Sequence, residues 1–305
     1  LPFVKQRLRK EKGFADFVEN YIPHTEKVVN VEQLKALVDR EQYRAIITGS
    51  DQVWNPHIFD FDEMFFFPFE TKAIKIGYSV SIGESSLEDI RGYSKYAKDF
   101  PYVGLREKGA KEKVEAICGH SVVDTVDPVL LLTREDWETF VDKSSPLAKE
   151  KYLFCYLIDK KPIKQNMAIA EQIAKERGLK IKYIWMHLEK ESFRGNFVND
   201  ASPVEFLNYM YHASAVMTDG YHGTVFSTIF NKPMYSVINN RQSTDSRIRD
   251  YLTLIGLESR IFYGDAPVIP KEEIDYTEVD LKIRSVADAS KAFLQSAIDN
   301  ERVVK

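Results

Sequence analysis

The chain has 305 residues, of which 44% are hydrophobic and 29% are charged, and its formal net charge at pH 7 is −4. This length is enough for two domains that each have a hydrophobic core. The interspersed charges exclude the basic surface that nucleic acid requires, so we expect no nucleic-acid partner. No apolar run is long enough to cross a bilayer. We therefore expect no integral membrane segment and a cytoplasmic location, with peripheral association at the inner face of the membrane as the alternative.

The two cysteines and six histidines show no spacing typical of a metal site or a disulfide framework. Cys118 and Cys155 lie far apart among apolar residues, which predicts two buried thiols. The histidines form no HxH or HxxxH pair, so we expect neither a metal nor a cofactor. The chain begins with Leu1 rather than methionine, and we expect an upstream strand and helix to be missing.

Helices and strands alternate through the first half of the chain. The hydrophobic spacing predicts helices at 3–21, 31–38, 86–100 and 106–118, a short helix capped by Thr133, and strands at 43–48, 75–80, 102–105 and 120–125. The aromatic cluster at 59–69 is too irregular for an amphipathic helix. It indicates a buried loop or a plug at a domain interface.

The strand at 43–48 ends in a turn with the sequence GSDQVWNP at 49–56. Gly49 allows a close approach of the backbone, while Asp51, Gln52 and Asn55 add a carboxylate and two amides. Ligands of parallel α/β sheets bind beyond the carboxyl ends of the strands. This turn is therefore a candidate site.

The polar segment at 142–151 is the best candidate linker, and it predicts an N-terminal domain at 1–145 and a C-terminal domain at 146–305. The second half predicts strands at 152–158, 179–186, 213–217 and 234–237, and helices at 163–177, 203–212, 222–230, 247–257 and 279–304. We expect the last helix to pack back on the N-terminal domain. The alternation predicts the α/β class, with two doubly wound Rossmann-like domains that face each other across a cleft containing the active site.

The stretch at 218–237 has the same plan as the first turn. It places Asp219, Gly220, Tyr221, His222 and Gly223 between a buried strand and a helix. His222 is therefore expected at a helix N-terminus, where backbone N–H groups and the helix dipole favour anions. The alternative is that its ring only hydrogen-bonds a neighbouring loop.

Five motifs occur in a fixed order along the chain: GSDQVWNP at 49–56, LRE at 105–107, VDPVLLL at 126–132, SPVEFL at 202–207 and TDGYHGTVFSTIFNKP at 218–233. Together they make the chain similar to the polysaccharide pyruvyl transferase family. The resemblance implies a fold like that of GT-B glycosyltransferases. It also implies transfer of a pyruvyl group from phosphoenolpyruvate to two hydroxyls of a sugar, forming a cyclic ketal. The acceptor implied is a cell-surface polysaccharide, an exopolysaccharide or a lipid-linked oligosaccharide precursor.

The same resemblance implies roles for particular residues. His222 matches the donor-site histidine of the family and is the candidate general acid toward the enol carbon. Arg106 matches the arginine that pairs with the anionic groups of the donor, and a salt bridge to an acidic neighbour is the alternative. Asp51 and Asp219 are candidate bases or ligands of sugar hydroxyls, unless each caps a following helix. We expect further substrate contacts from Gln52, Asn55, Tyr221, Gly223, Thr224 and Arg247.

One departure from the family pattern concerns the donor. Well-studied members have an arginine two residues before the histidine, and this chain has Gly220 there. Arg241 or Arg247 is the candidate replacement, and a donor other than phosphoenolpyruvate is the alternative.

Two functions compete with pyruvyl transfer: a GT-B glycosyltransferase that uses a nucleotide sugar, and a non-catalytic carbohydrate-binding relative. We expect the loop at 188–199 to set acceptor specificity. The sequence predicts no particular oligomeric state.

Overall fold

The computed structural model describes residues 2–159, 162–185, 196–238, 246–263, 270 and 272–300. Arg241 and residues 188–195 of the expected specificity loop lie outside this part of the chain. The helices are α1 (Pro2–Tyr21), α2 (Val31–Glu41), α3 (Leu87–Arg91), α4 (Ser94–Ala97), α5 (Lys111–Cys118), α6 (Arg134–Glu138), α7 (Ile163–Arg177), α8 (Pro203–His212), α9 (Tyr221–Ile229), α10 (Ser246–Ile255) and α11 (Tyr276–Asp299). The strands are β1 (Ala45–Thr48), β2 (Ile74–Val80), β3 (Tyr102–Leu105), β4 (Val123–Asp124), β5 (Tyr152–Leu157), β6 (Lys180–Trp185), β7 (Asn196–Phe197), β8 (Ala215–Thr218), β9 (Met234–Ile238) and β10 (Ile261–Tyr263). Short 3-10 helices cover Glu63–Phe66, Lys108–Ala110, Pro128–Leu131, Pro146–Lys149 and Glu258–Arg260.

Most predicted elements are confirmed, and the differences have local causes. The helix expected at 86–100 is wrong as one element, because Gly92 ends α3 and a second short helix, α4, follows. The strand expected at 120–125 is reduced to the two residues of β4. Two short strands, β7 and β10, were missed because runs of two or three residues carry no readable alternation.

One compact unit comprises Glu26–Leu132 and Leu281–Lys305. Its sheet is parallel, in the order β1-β2-β3-β4. On one face the aromatic cluster forms a buried loop, in which Phe66 stacks on Trp54 with ring centroids 4.8 Å apart. On the other face α11 contributes Phe293 to a cluster with Tyr78 of β2. A hydrogen bond of 3.1 Å from the Val126 backbone N–H to the hydroxyl of Ser290 also joins α11 to this sheet.

The other compact unit comprises Leu1–Thr25 and Thr133–Asp280. Its sheet is parallel in the order β10-β9-β8-β5-β6-β7. The chain leaves β5 toward β6 and β7 and later returns on the other side through β8. The β5/β8 boundary is therefore the point at which the strand order reverses, and ligands of open α/β sheets bind in the crevice outside the strand ends at such a point.

The bounds of these units differ from the expected 1–145 and 146–305, and the expected linker at 142–151 lies inside one unit. The reason is packing between distant helices. In α1, Arg9 forms ion pairs with Asp200 and with Glu205 of α8, and Phe17 lies 6.1 Å from Phe140 between ring centroids. An amphipathic helix at a chain end packs on whichever apolar surface the fold offers. No helix among the described residues has the length and apolar character needed to cross a membrane.

Candidate functional site

The turn after β1 depends on a glycine. Gly49 has φ +125°, and a Cβ atom there would lie 1.9 Å from the backbone oxygen of Tyr78 on β2. Only glycine fits this close approach of two strands. Asp51 also has a left-handed φ of +66°, a conformation that aspartate tolerates better than most residues. The turn therefore carries its carboxylate over the carboxyl ends of β1 and β2.

Arg106 follows β3, and its guanidinium joins two aspartates. Its Nη2 lies 2.8 Å from Oδ1 of Asp51, and its Nη1 lies 3.0 Å from Oδ2 of Asp127. The side chain of Arg106 is 2% exposed and that of Asp127 is 1% exposed, whereas that of Asp51 is 59% exposed. Ser50 adds a hydrogen bond of 3.3 Å from its hydroxyl to Asp127. Arg106 and Asp127 form a buried ion pair, and Asp51 adds a second carboxylate that faces solvent.

The salt bridge that we considered as an alternative for Arg106 is therefore present. Two carboxylates already contact the single positive charge of Arg106, so an anionic donor would have to displace Asp51 to reach it. Asp51 does not cap a helix, because its Oδ1 accepts from the backbone N–H of Gln52 at 2.9 Å in a turn that no helix follows. Arg106 and Asp51 lie together in the structure, whereas the sequence left the acidic neighbour of Arg106 unnamed. Asp127 was missed, although the VDP motif marks it.

Gln52 and Asn55 lie next to each other in the same turn. The Nδ2 of Asn55 donates to Oε1 of Gln52 at 2.5 Å, and the Oδ1 of Asn55 accepts from the hydroxyl of Ser85 at 2.8 Å. Asn55 is buried, and Gln52 is half-buried. These bonds join the loops after β1 and β2, which favours a structural role for Asn55. Glu107, which was also missed, is buried and accepts from the backbone N–H of Ile82 at 3.0 Å.

The turn after β8 lies at the strand-order reversal of the other unit. Gly220 is the N-cap of α9, with no side-chain cap. The hydroxyl of Thr218 donates to the backbone oxygen of Tyr156 on β5 at 2.7 Å and accepts from the backbone N–H of Gly220 at 3.0 Å. A Cβ at Gly223 would lie 2.2 Å from this hydroxyl oxygen. The first turn of α9 is thus held tightly against β5 and β8.

Asp219 is buried in this turn and faces the loop after β5. Its Oδ1 accepts from the backbone N–H of Ile158 at 2.7 Å, and its Oδ2 accepts from Asp159 N–H at 3.3 Å and from Nδ2 of Asn166 at 3.0 Å. The helix-cap alternative for Asp219 is therefore wrong, since its bonds cross to a neighbouring strand. Burial raises the pKa of Asp219 to about 7, and the backbone N–H of Ile158 opposes that rise.

His222 occupies the first turn of α9 and is half-buried. Its ring lies edge-on to Tyr221, with centroids 5.5 Å apart, and Tyr221 also meets Tyr251 of α10 at 6.0 Å. Thr224 is buried, with its hydroxyl 3.0 Å from that of Ser236 on β9. This hydroxyl is used within the core, and the backbone N–H of Thr224 donates to the Gly220 oxygen, which favours a structural role for Thr224.

Arg247 lies in the first turn of α10, one turn before Tyr251, and is half-buried. It belongs to the same unit as His222 and stays the candidate cation for an anionic donor.

The thiols of Cys118 and Cys155 are buried as predicted, and burial raises the pKa of Cys118 to about 12, so the thiolate is disfavoured. Among the described residues, no cluster of three or more His, Cys, Asp or Glu side chains has a metal-binding arrangement.

Comparison with known proteins identifies the fold and the family. One crystal structure of UDP-N-acetylglucosamine 2-epimerase is 11% identical, covers 90% of this chain and 77% of its own, and has a TM-score of 0.59. The S. aureus MnaA–UDP co-structure is 11% identical, with coverage of 96% and 87% and a TM-score of 0.55. The UDP-GlcNAc 2-epimerase from Methanocaldococcus jannaschii is 9% identical, with coverage of 91% and 82% and a TM-score of 0.55. At these identities the likeness shows the fold alone, a GT-B-like fold with two Rossmann-like domains.

A search of curated proteins by sequence found no match. The family model for polysaccharide pyruvyl transferase matches residues 4–241, which is more than three quarters of the chain. The matched region includes the turns that carry Asp51, Arg106 and His222. The chain therefore belongs to the polysaccharide pyruvyl transferase family, and it is an enzyme, a transferase.

Proposed function

We propose that this enzyme transfers the pyruvyl group of phosphoenolpyruvate to two hydroxyls of one sugar and forms a cyclic ketal. The sugar belongs to a cell-surface polysaccharide or to its lipid-linked precursor. Membership of the family supports this reaction class. The observation that carries the proposal is the position of His222, half-buried in the first turn of α9, at the strand-order reversal where α/β sheets bind ligands.

The reaction balances without water or a redox partner. Protonation of C3 of phosphoenolpyruvate turns its methylene into a methyl group and leaves C2 electron-poor. The first sugar hydroxyl attacks C2, the bond between C2 and the phosphate oxygen breaks, and the second hydroxyl attacks the same carbon. Of the two hydroxyl protons, one replaces the proton delivered to C3 and the other leaves with inorganic phosphate.

His222 is the group that we assign to proton delivery. An imidazole exchanges protons near neutral pH, which suits an acid that must be recharged by a sugar hydroxyl in each cycle. The start of α9 adds an anion-binding element, because the first N–H groups of a helix have no intrahelical acceptors and the helix dipole is positive there. The first helical bond of α9 runs from Thr224 N–H to the Gly220 oxygen at 3.1 Å. Gly223 N–H precedes that bond and is a donor that we assign to the donor phosphate.

Asp51 and Arg106 receive a separate assignment. The guanidinium fixes the carboxylate of Asp51 at 2.8 Å while leaving 59% of that side chain exposed. An oriented, exposed carboxylate is a good acceptor for a sugar hydroxyl. We assign Asp51 to hydroxyl binding or deprotonation and Arg106 to holding it, with the buried Asp127 as the second anchor.

A nucleotide sugar is the competing donor. The structural neighbours include a UDP-GlcNAc 2-epimerase and MnaA in a co-structure with UDP. Their similarity concerns the fold, and the family match favours pyruvyl transfer. A direct comparison of ligand binding separates the two functions: a pyruvyl transferase binds phosphoenolpyruvate, whereas a glycosyltransferase binds UDP or another nucleoside diphosphate.

The decisive experiment is a phosphate-release assay with phosphoenolpyruvate and a panel of free and lipid-linked sugars, with ketal formation followed by mass spectrometry. We expect phosphate and ketal in equal amounts with at least one acceptor. Sugar transfer from a nucleotide sugar, with no phosphate released from phosphoenolpyruvate, would establish the glycosyltransferase instead. Sugar binding without turnover of either donor would establish the non-catalytic relative.

A further inference from the structure

The space beside Gly220 is filled by an apolar side chain from the loop after β5. A Cβ atom at Gly220 would lie 2.5 Å from Cδ1 and 3.1 Å from Cγ1 of Ile158, and 3.3 Å from a ring carbon of Tyr156. No side chain larger than hydrogen fits at this position unless Ile158 moves. At the N-cap of α9, two residues before His222, the nearest side-chain atoms are therefore hydrocarbon rather than cationic.

Ile158 is fixed in this position. Its backbone N–H donates to Asp219 at 2.7 Å, and the next residue donates to the same carboxylate. Asn166 of α7 donates to that carboxylate as well, at 3.0 Å. The side chain of Ile158 is nevertheless 38% exposed. What distinguishes Ile158 from other exposed apolar residues is its place, against Gly220 at the strand-order reversal where ligands of open α/β sheets bind.

We propose that Ile158 is a specificity-determining residue that forms the wall for the C3 methylene of the donor. This inference rests on the proposed function. Phosphoenolpyruvate has three groups around its central carbon: a carboxylate, a phosphate and a methylene. The two anionic groups require N–H donors or cations, whereas the methylene is the only edge that gains from a hydrocarbon contact.

The proposed contact with Ile158 also bears on the position of C3 relative to His222, the proposed acid. Gly220 and His222 occupy the N-cap and the second residue of the same helix. In this proposal the methylene contacts Ile158 beside Gly220, so it lies near the start of the helix that carries His222. The apolar wall disfavours the reverse orientation, because it would bury the carboxylate or the phosphate against hydrocarbon at a large desolvation cost.

The test compares phosphoenolpyruvate with its C3-methyl homologue, phosphoenol-2-oxobutyrate. The measured quantity is the ratio of kcat/KM for the two donors. We expect the wild-type enzyme to discriminate strongly against the homologue, because its extra methyl group meets Ile158. Ile158→Ala opens that space, and we expect the ratio to fall by about 10-fold or more, since one methyl in an apolar pocket changes selectivity by roughly 10–200-fold.

Ile229→Ala is the matched control, because it removes the same atoms at the far end of α9. We expect it to lower stability and to leave the donor ratio unchanged. Ile158→Val is the milder variant to use if Ile158→Ala does not fold, and it should shift the ratio in the same direction by a smaller factor. Thermal unfolding of each variant identifies those that retain the fold.

The possible failures are distinguishable. If the wild-type enzyme uses phosphoenolpyruvate but the Ile158 variants keep its donor ratio, Ile158 is not the methylene wall and the proposed function stands. If the wild-type enzyme releases no phosphate from phosphoenolpyruvate with any acceptor, the proposed function fails and this inference fails with it.

Discussion

Asp219 holds Ile158 through a hydrogen bond of 2.7 Å from the Ile158 backbone N–H to Oδ1 of the carboxylate. This bond joins the loop after β5 to the turn after β8 at the point where the strand order reverses. Asp219 thus acts on the candidate site through the backbone of a neighbour, and its carboxylate is used within the protein. That makes it a positioning residue rather than the base or hydroxyl ligand that the sequence suggested, and we propose it as such.

The ionisation of Asp219 predicts a pH dependence of stability. Burial raises its pKa from 3.8 to about 7. Between these values the folded chain keeps a proton that the unfolded chain has lost. The contribution to stability therefore grows as the pH falls from about 7 toward about 4, by ~1.4 kcal/mol per pH unit. Asp219→Asn cannot titrate, so we expect the difference in unfolding free energy between wild type and variant to change with pH over this window. Urea unfolding at several pH values measures it, and parallel pH profiles would contradict the prediction.

His222 is predicted to be required for turnover. His222→Ala should lower kcat by roughly 10²–10⁴-fold, because a positioned acid contributes that much in enzymes that use one. His222→Gln keeps a hydrogen bond but delivers no proton, so we expect it to be as inactive as His222→Ala. Near-normal turnover of the glutamine variant would show that His222 has a positioning role and does not deliver the proton.

The control for His222 is His212 at the end of α8. Its Nε2 lies 2.9 Å from the backbone oxygen of Asp142, and its ring packs against Tyr211. These are structural contacts. We expect His212→Gln to lower the unfolding temperature and to leave kcat within a few-fold of the wild-type value. A rate loss as large as that of His222→Gln would show that the assay reports folding.

The two aspartates at Arg106 are predicted to differ in their effect on stability. Asp127→Asn should cost ~3–5 kcal/mol of unfolding free energy, because it removes the buried partner of a buried guanidinium. Asp51→Asn should cost less than ~1 kcal/mol, because Asp51 faces solvent, and asparagine also tolerates the left-handed backbone there. Denaturant unfolding measures both, and equal costs would contradict the burial argument.

We expect Asp51→Asn to lower kcat/KM for the sugar acceptor far more than its stability loss explains.

Gly223 is predicted to tolerate no side chain. A Cβ there would lie 2.2 Å from the hydroxyl oxygen of Thr218 and 2.9 Å from a ring carbon of Tyr156. Thr218 is buried and its hydroxyl is bonded to the Tyr156 backbone, so Gly223→Ala should destabilise the chain by about 1–3 kcal/mol, as overpacking does. Gly92→Ala is the control, because nothing lies within 4 Å of its Cβ position and its φ is −59°. We expect no loss of stability there. Equal melting temperatures for the two variants would show that the turn around Gly223 shifts to accommodate the added methyl group.

The sequence located much of the fold and several of the site residues. Hydrophobic spacing placed α7 and α8, and Thr133 is the helix cap that its position predicts. The pairing of Arg106 with an acidic neighbour was an open alternative, and the neighbours are Asp51 and Asp127. Asp127 lies 21 residues from Arg106, and no local pattern connects the two residues.

The sequence by itself determined the α/β class, the family and the positions of the two polar turns after β1 and β8, because these depend on residues that are close along the chain. Only the tertiary structure decided which groups meet. The carboxylate of Asp219 bonds to the backbone of Ile158, 61 residues away, and the side chain of Ile158 packs where a Cβ of Gly220 would lie. It also decided that α1 belongs with α8 and which residues the last helix contacts, among them Tyr78 of β2. Such pairings follow from the burial of apolar surface and from hydrogen bonds between distant strands and helices. These contacts form only in the assembled fold, so they cannot be predicted from the structural propensities of short segments.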